Sequence, residues 1–310
     1  MTGWKIRLFG KFRIEREEKL IAIEPRKVQE LFGYLLLFRN HPQLRELLSE
    51  TLWGDQSSTK SRKSLRQTLW RLQSALGKQE NSAQPALLID NDWIQIVLPP
   101  DFWLDTAEFE KIFNSVKGKR IQELRAPDFK KMQFAADIYE GNLLEGCYQD
   151  WCVFERERFQ TMQLMLLDKL VQYCELHQLH DVGLDYGLEI LRHDRTYERA
   201  HRQLMRLYFL NGNRTQALHQ YARCVMTLRE ELGVEPAERT NQLYEQIRLD
   251  TFKPPEYSQE RSVSTTSIRA NPGLKDVLNR LEEVSEMLSR LEHRIQEEII
   301  TVGDPFSSQR

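Results

Sequence analysis

Between Ser58 and Gly77 the chain reads STKSRKSLRQTLWRLQSALG, with five cations, Lys60, Arg62, Lys63, Arg66 and Arg71, and no acidic residue. At helical spacing Leu65, Leu69, Leu72 and Leu76 fall on one stripe that must be buried, and Arg62, Lys63, Arg66, Gln67, Trp70 and Arg71 point away from it. A face of guanidinium, ammonium and amide groups on a single rod has a specific chemistry open to it. The major groove of duplex DNA admits one α-helix, and Arg or Lys to guanine edges and Gln to adenine are the pairings its geometry permits. Each good bidentate contact supplies about 1–3 kcal/mol of discrimination, so two or three from this face suffice for selective binding. Lys60 and Lys78, at the two ends, suit phosphate contacts, which position without specifying. The alternative is a merely solvated surface, but such faces commonly mix both charge signs for i,i+4 support and this one does not. Trp70 is either part of the reading face or packs on a neighbouring helix or hairpin.

The elements before this helix must hold it. Ile6 and Leu8, then Phe12 and Ile14, alternate at period two in WKIRLFG and KFRIERE, and KLIAIE follows, which predicts a small antiparallel meander. From Pro25 the spacing changes to three and four in PRKVQELFGYLLLFRN, a helix with proline suited to its first turn. RELLSETLWGD is a second helix stopped at Gly54, the basic stretch is a third ended by Gly77, and ALLID and WIQIVLP form a hairpin turning at Asn91-Asp92. Strands, three helices and a hairpin are the order of a winged helix, in which the third helix is the reader.

Downstream of Asp105 the pattern is almost entirely helical. HDVGLDYGLEIL and NRTQALHQYARCVM align at an offset of 34 residues, placing Gly183 over Ala217, Leu184 over Leu218 and Ile190 over Cys224. That is the period of tetratricopeptide repeats, in which small residues sit where helices approach closely. TFKPPEYSQERSVSTTSIRANPG is rich in Pro, Ser and Thr and reads as a linker. Leu274, Val277, Leu281, Val284, Leu288, Leu291 and Ile295 then step by three and four, which predicts a coiled coil and self-association. The expected fold class is mainly α with a small β component. The expected divisions are a winged helix over 1–100, a helical array over 101–250, a linker over 251–273 and a coiled coil over 274–299.

IRLFGKFRI, RKVQELFGYLLL, LLSETLWGD and KSLRQTLWRLQSALG together resemble the winged helix of the antibiotic regulatory proteins, the SARP family, itself similar to the output domain of OmpR-type response regulators. DTAEFEKIF, GNLLEG, WCVFERERF and NRTQALHQYARCVMTLREELGVEP resemble the bacterial transcriptional activator domain that follows it there. The resemblance covers about residues 4–250. It implies a transcriptional activator, without cofactor or metal, that binds double-stranded DNA on tandem direct repeats and contacts RNA polymerase and its sigma factor. It carries Lys63, Gln67, Thr68, Trp70 and Arg71 to positions of DNA contact. The turn from Gly54 to Thr59, including Asp55, Gln56, Ser57 and Ser58, falls at the position of polymerase contact. Two positions depart from the pattern. Leu44 stands where a serine usually caps the second helix, so that helix start must be satisfied differently. The hairpin tip IDNDWIQ is acidic where relatives are basic, and Asp90 and Asp92 would repel a phosphate backbone.

Composition agrees with this division of labour. The net charge is −2, yet residues 1–100 hold 16 Lys or Arg against 11 Asp or Glu, which leaves the remaining 210 residues at about −7. A basic front half suits an anionic partner. No stretch approaches the ~18 apolar residues of a membrane span and no signal peptide is visible, so the expected location is the cytoplasm. Phosphate-loop, H-E-x-x-H and G-x-S-x-G motifs are absent, which argues against an enzyme. His177, His180 and His193 are close in sequence but read as solvated polar residues around a turn rather than metal ligands. Cys147, Cys152, Cys174 and Cys224 form no C-x-x-C pair and are expected as buried apolar residues. Trp93, Phe102 and Trp103 are expected at a seam between the two domains, and Trp151 and Phe154 in the helical core. The competing reading is a helical-repeat interaction scaffold whose basic helix is only surface.

Overall fold

The computed structural model describes residues 3–16, 19–77, 86–99 and 102–253. Its N-terminal meander comprises β1 (Trp4–Arg7), β2 (Arg13–Arg16) and β3 (Lys19–Leu20). Ile6 lies opposite Ile14 in the antiparallel β1/β2 register, and both are buried with Trp4 and Leu8. The period-two alternation thus puts one face of the ribbon on the core.

Three helices follow: α1 (Arg26–Leu37), α2 (Arg45–Trp53) and α3 (Ser58–Leu76). Pro25 is the extended residue before α1 rather than its first helical position. A short strand, β4 (Gln43–Leu44), pairs with β6 (Trp93–Val97), which pairs with β5 (Ala86–Ile89), giving the order β4-β6-β5. The start of α2 is satisfied from this sheet, because Leu44 offers no side-chain cap and the Arg45 N–H donates to the Asp92 carbonyl at 2.9 Å. The hairpin tip replaces the missing serine. At the α2–α3 turn the buried Ser61 hydroxyl donates to the Trp53 carbonyl at 3.0 Å and fixes where α3 begins.

The rest is a helical array: α4 (Asp105–Val116), a short 3₁₀ turn at Ile121–Glu123, α5 (Ala126–Ile138), α6 (Asp150–Leu176), α7 (His180–His193), α8 (Glu198–Leu210), α9 (Arg214–Leu232) and α10 (Glu238–Arg248). The 34-residue offset superposes α7 on α9, and Gly183, Ala217, Ile190 and Cys224 are all buried. Gly187 shows why the close contact needs a small residue: a Cβ there would meet Cδ2 of Leu204 at 2.7 Å, so the fully buried Leu204 side chain would have to shift within the core. Gly187→Ala is expected to destabilise the protein by about 1–3 kcal/mol, since overpacking outweighs the gain in helix propensity. Urea unfolding monitored by circular dichroism checks this; an unchanged or raised midpoint contradicts it.

A large hydrophobic core runs from the meander into the array as far as α8, across the boundary expected near residue 100, and a second, smaller cluster of Met205, Ala217, Leu243 and Ile247 joins α8, α9 and α10. β7 (Trp103–Leu104) adds to the free edge of β1 in parallel, so the N-terminal sheet has the order β3-β2-β1-β7 and leads directly into α4. The first residue of α4, Asp105, is a buried carboxylate that accepts the N–H groups of Leu8 at 2.7 Å and Phe9 at 2.8 Å. The Phe9 ring meets Phe109 and Phe159 edge-on at 5.5 and 5.2 Å, and Tyr34 of α1 meets Trp151 of α6 at 5.2 Å. Phe102 and Trp103 lie at this join, with the Lys5 ammonium 5.3 Å from the Trp103 ring. Trp93 instead belongs to the hairpin.

Of the pair expected in the helical core, Trp151 is buried but Phe154 is 70% exposed. Three residues along α6 place Phe154 only about 60° round from Trp151, on the flank of the buried face, and no described element reaches far enough to cover it. The coiled-coil positions, and the linker beyond residue 253, lie outside the described residues.

Candidate nucleic-acid interface

α3 separates its residues by face as its periodicity requires. Leu65, Leu69, Leu72 and Leu76 are buried, whereas Lys60, Arg62, Lys63, Arg66, Gln67, Trp70 and Arg71 are exposed. Trp70 is 66% accessible and so does not pack into a neighbouring element. Lys60, Lys63, Arg66 and Arg71 make no ion pair with any described residue, so their charge is not neutralised within the described fold. Lys63, Gln67 and Arg71 follow each other at four-residue spacing and therefore rise one above another along the rod.

Thr68 is a correction. It is only 7% exposed, and its hydroxyl donates to the Ser64 carbonyl at 2.8 Å. It sits three residues after Leu65 and one before Leu69, on the flank of the leucine stripe, so it packs α3 in place rather than facing a ligand.

Sequence reading found no acid within α3, but α2 supplies one: Glu46 forms an ion pair with Arg62. The partners are 16 residues apart on different helices, so no local spacing could signal them. The acidic hairpin tip is also close by. The Arg45 guanidinium donates to the Asp90 carbonyl at 3.0 Å, and Asn91 and Asp92 line a cleft of about 750 Å³ together with Arg45, Glu46, Arg62 and Arg66. The turn proposed by resemblance for polymerase contact, Gly54, Asp55, Gln56, Ser57 and Ser58, is exposed throughout. It is braced from within, since the Ser64 hydroxyl donates to the Gln56 side-chain carbonyl at 3.2 Å.

The described histidines and cysteines converge on no comparable site. The ring of His177 lies on Tyr173 at 4.1 Å, and His193 faces Glu189 at 3.5 Å. Among the described residues no group of three or more His, Cys, Asp or Glu side chains is gathered as a metal site would be. The four cysteines are free and buried. No helix among the described residues is long and apolar enough to cross a membrane.

Residues 104–248 match the bacterial transcriptional activator domain. The regulatory protein AfsR of Streptomyces coelicolor is 22% identical over 246 residues, an alignment that spans 77% of this chain and 24% of that protein. Over this span the chain is similar to a regulator of the SARP type, and it spans about a quarter of that relative's length. The fold is shared with EmbR of Mycobacterium tuberculosis, solved in complex with a low-affinity phosphopeptide, which superposes with a TM-score of 0.68 at 16% identity. That superposition covers 81% of this chain and 66% of the EmbR chain. In this chain the N-terminal helices and the region matching the activator domain lie in one compact unit, with the charged face of α3 left open to solvent.

Proposed function

We propose that this chain is a sequence-specific DNA-binding transcriptional activator acting in the cytoplasm, with α3 lying in the major groove. The observation that carries the reading is the stack Lys63, Gln67 and Arg71, exposed along a 19-residue helix whose opposite stripe is buried. Such a helix is about 28 Å long and narrow enough to enter a groove about 12 Å wide. Gln67 and Arg71 supply the adenine and guanine pairings, Lys63 a third base-edge or phosphate contact, and Lys60 a positioning contact to the backbone. The turn from Gly54 to Ser58 is proposed as the surface met by RNA polymerase and its sigma factor when two copies occupy a tandem repeat. The heptad pattern at Leu274 to Ile295 is proposed to hold copies together, which raises the effective concentration of the second binding event.

Recovery of genomic DNA by the purified protein tests the reading and supplies the operator. On that operator, Gln67→Ala and Arg71→Ala are each expected to lose about 1–3 kcal/mol of discrimination at one base pair. Lys60→Ala is expected to weaken all sequences alike and to flatten the salt dependence by about one unit. Equal losses on operator and random duplex for all three variants contradict these roles. Recovery of no fragment above bulk competitor favours the scaffold reading, for which the groove between α9 and α10, lined by Tyr221, Val225, Met226 and Tyr244, is the available surface.

A further inference from the structure

The cleft between α2, α3 and the hairpin tip is built from opposed charges. Arg45, Arg62 and Arg66 bring three guanidiniums to it, and Glu46 and Asp92 bring two carboxylates. The excess is a single positive charge, which matches one phosphodiester. The cations are not equally committed. Arg45 donates to a neutral acceptor, the Asp90 carbonyl, and Arg66 makes no ion pair among the described residues, so only Arg62 is neutralised, by Glu46. Arg66 also belongs to the exposed face of α3, so a duplex seated on that face runs its backbone along the mouth of the cleft. We propose that this cleft seats a backbone phosphate of duplex DNA, and that Glu46 is the internal counter-ion this phosphate must displace from Arg62.

The proposal rests on α3 reading DNA, and it gives the acidic hairpin tip a role. Asp92 and Glu46 set the charge of the seat at the value one phosphodiester neutralises, instead of presenting carboxylates to the backbone. Glu46 then limits affinity for every sequence alike, because a phosphate contact carries no sequence information. The pair itself is expendable to the fold: its side chains are 60% and 67% accessible, and exposed pairs of this kind contribute little to stability.

The test uses the full chain and fluorescence anisotropy with a random-sequence duplex of about 40 base pairs over a range of KCl concentrations. Glu46→Gln is expected to tighten binding about three- to tenfold and to steepen the salt slope by about one unit, as one more phosphate is neutralised. Arg45→Ala is expected to weaken binding several-fold with a shallower slope, and Glu230→Gln, an equal charge change on α9, to leave both unchanged. Wild type binding with Glu46→Gln indistinguishable from it overturns the proposal while leaving the reading of α3 intact. So does an equal gain from Glu230→Gln, which would make the effect one of net charge. Tightened competition by inorganic phosphate without any change in duplex affinity would overturn it too. Wild type failing to bind any duplex removes the DNA reading and this proposal together.

Discussion

Replacing Lys63, Arg66 and Arg71 together with glutamate is expected to lower affinity for any duplex by at least about a hundredfold at moderate salt, because three exposed cations become three anions on the face proposed to meet DNA. The fold should not respond. All three side chains are exposed and make no ion pair with a described residue, and the leucine stripe that seats α3 is untouched. Circular dichroism and the thermal midpoint should therefore match wild type, which separates loss of binding from loss of structure. The triple alanine variant should fall between the two, since it removes attraction without adding repulsion. Binding retained within about threefold by the glutamate variant would mean that the anionic partner, if any, meets another surface.

Asp105→Ala is expected to cost about 3–5 kcal/mol in urea unfolding, one of the largest single-residue losses the fold offers. The carboxylate is 1% exposed and accepts three backbone N–H groups, from Leu8, Phe9 and Thr106. Removing it leaves buried donors unmatched at about 1–3 kcal/mol each, reduced by whatever water the smaller side chain admits. The loss should reach both halves of the molecule, because these bonds tie the end of β1 to the start of α4. A cost below about 1 kcal/mol would mean that the freed donors find water and that Asp105 is not a latch.

The same residue gives a pH dependence. Burial pushes the Asp105 carboxyl from its ordinary value of 3.8 up to about 7, against the opposing pull of the Phe9, Thr106 and Leu8 N–H groups and the Arg7 guanidinium. Between those two values the folded chain holds more protons than the unfolded chain, so this group makes stability rise as pH falls. Comparison with Asp105→Asn isolates it: the stability margin of wild type over the variant should widen from pH 8 to pH 5. A margin that narrows on acidification would show that the three N–H donors outweigh burial.

Much of this molecule was legible in its sequence, and the legible parts have one thing in common. The leucine stripe of α3, the alternation that pairs Ile6 with Ile14, the hairpin turning before Trp93 and the 34-residue offset between α7 and α9 all depend on spacings within one element or one repeat. Helical and strand periods fix which residues share a face, whatever lies across from it. Even the odd Leu44 carried a true message, that α2 must find its first hydrogen bond elsewhere.

What lay across from each face was decided only by the tertiary structure. Thr68 and Phe154 were misplaced because a residue on the flank of a stripe is buried or exposed according to the width of its neighbour, which spacing does not report. Glu46 beside Arg62, the Asp92 carbonyl on Arg45 and Asp105 beneath Leu8 and Phe9 join residues 16 to 97 positions apart. The sequence alone determined that a cationic rod would exist with one apolar stripe. The packing of α2, the hairpin and α4 decided which of its charges are neutralised and that the N-terminal helices share a core with α4 to α8. Local periodicity is a property of the backbone, whereas a partner across a gap is a property of how the whole chain closes.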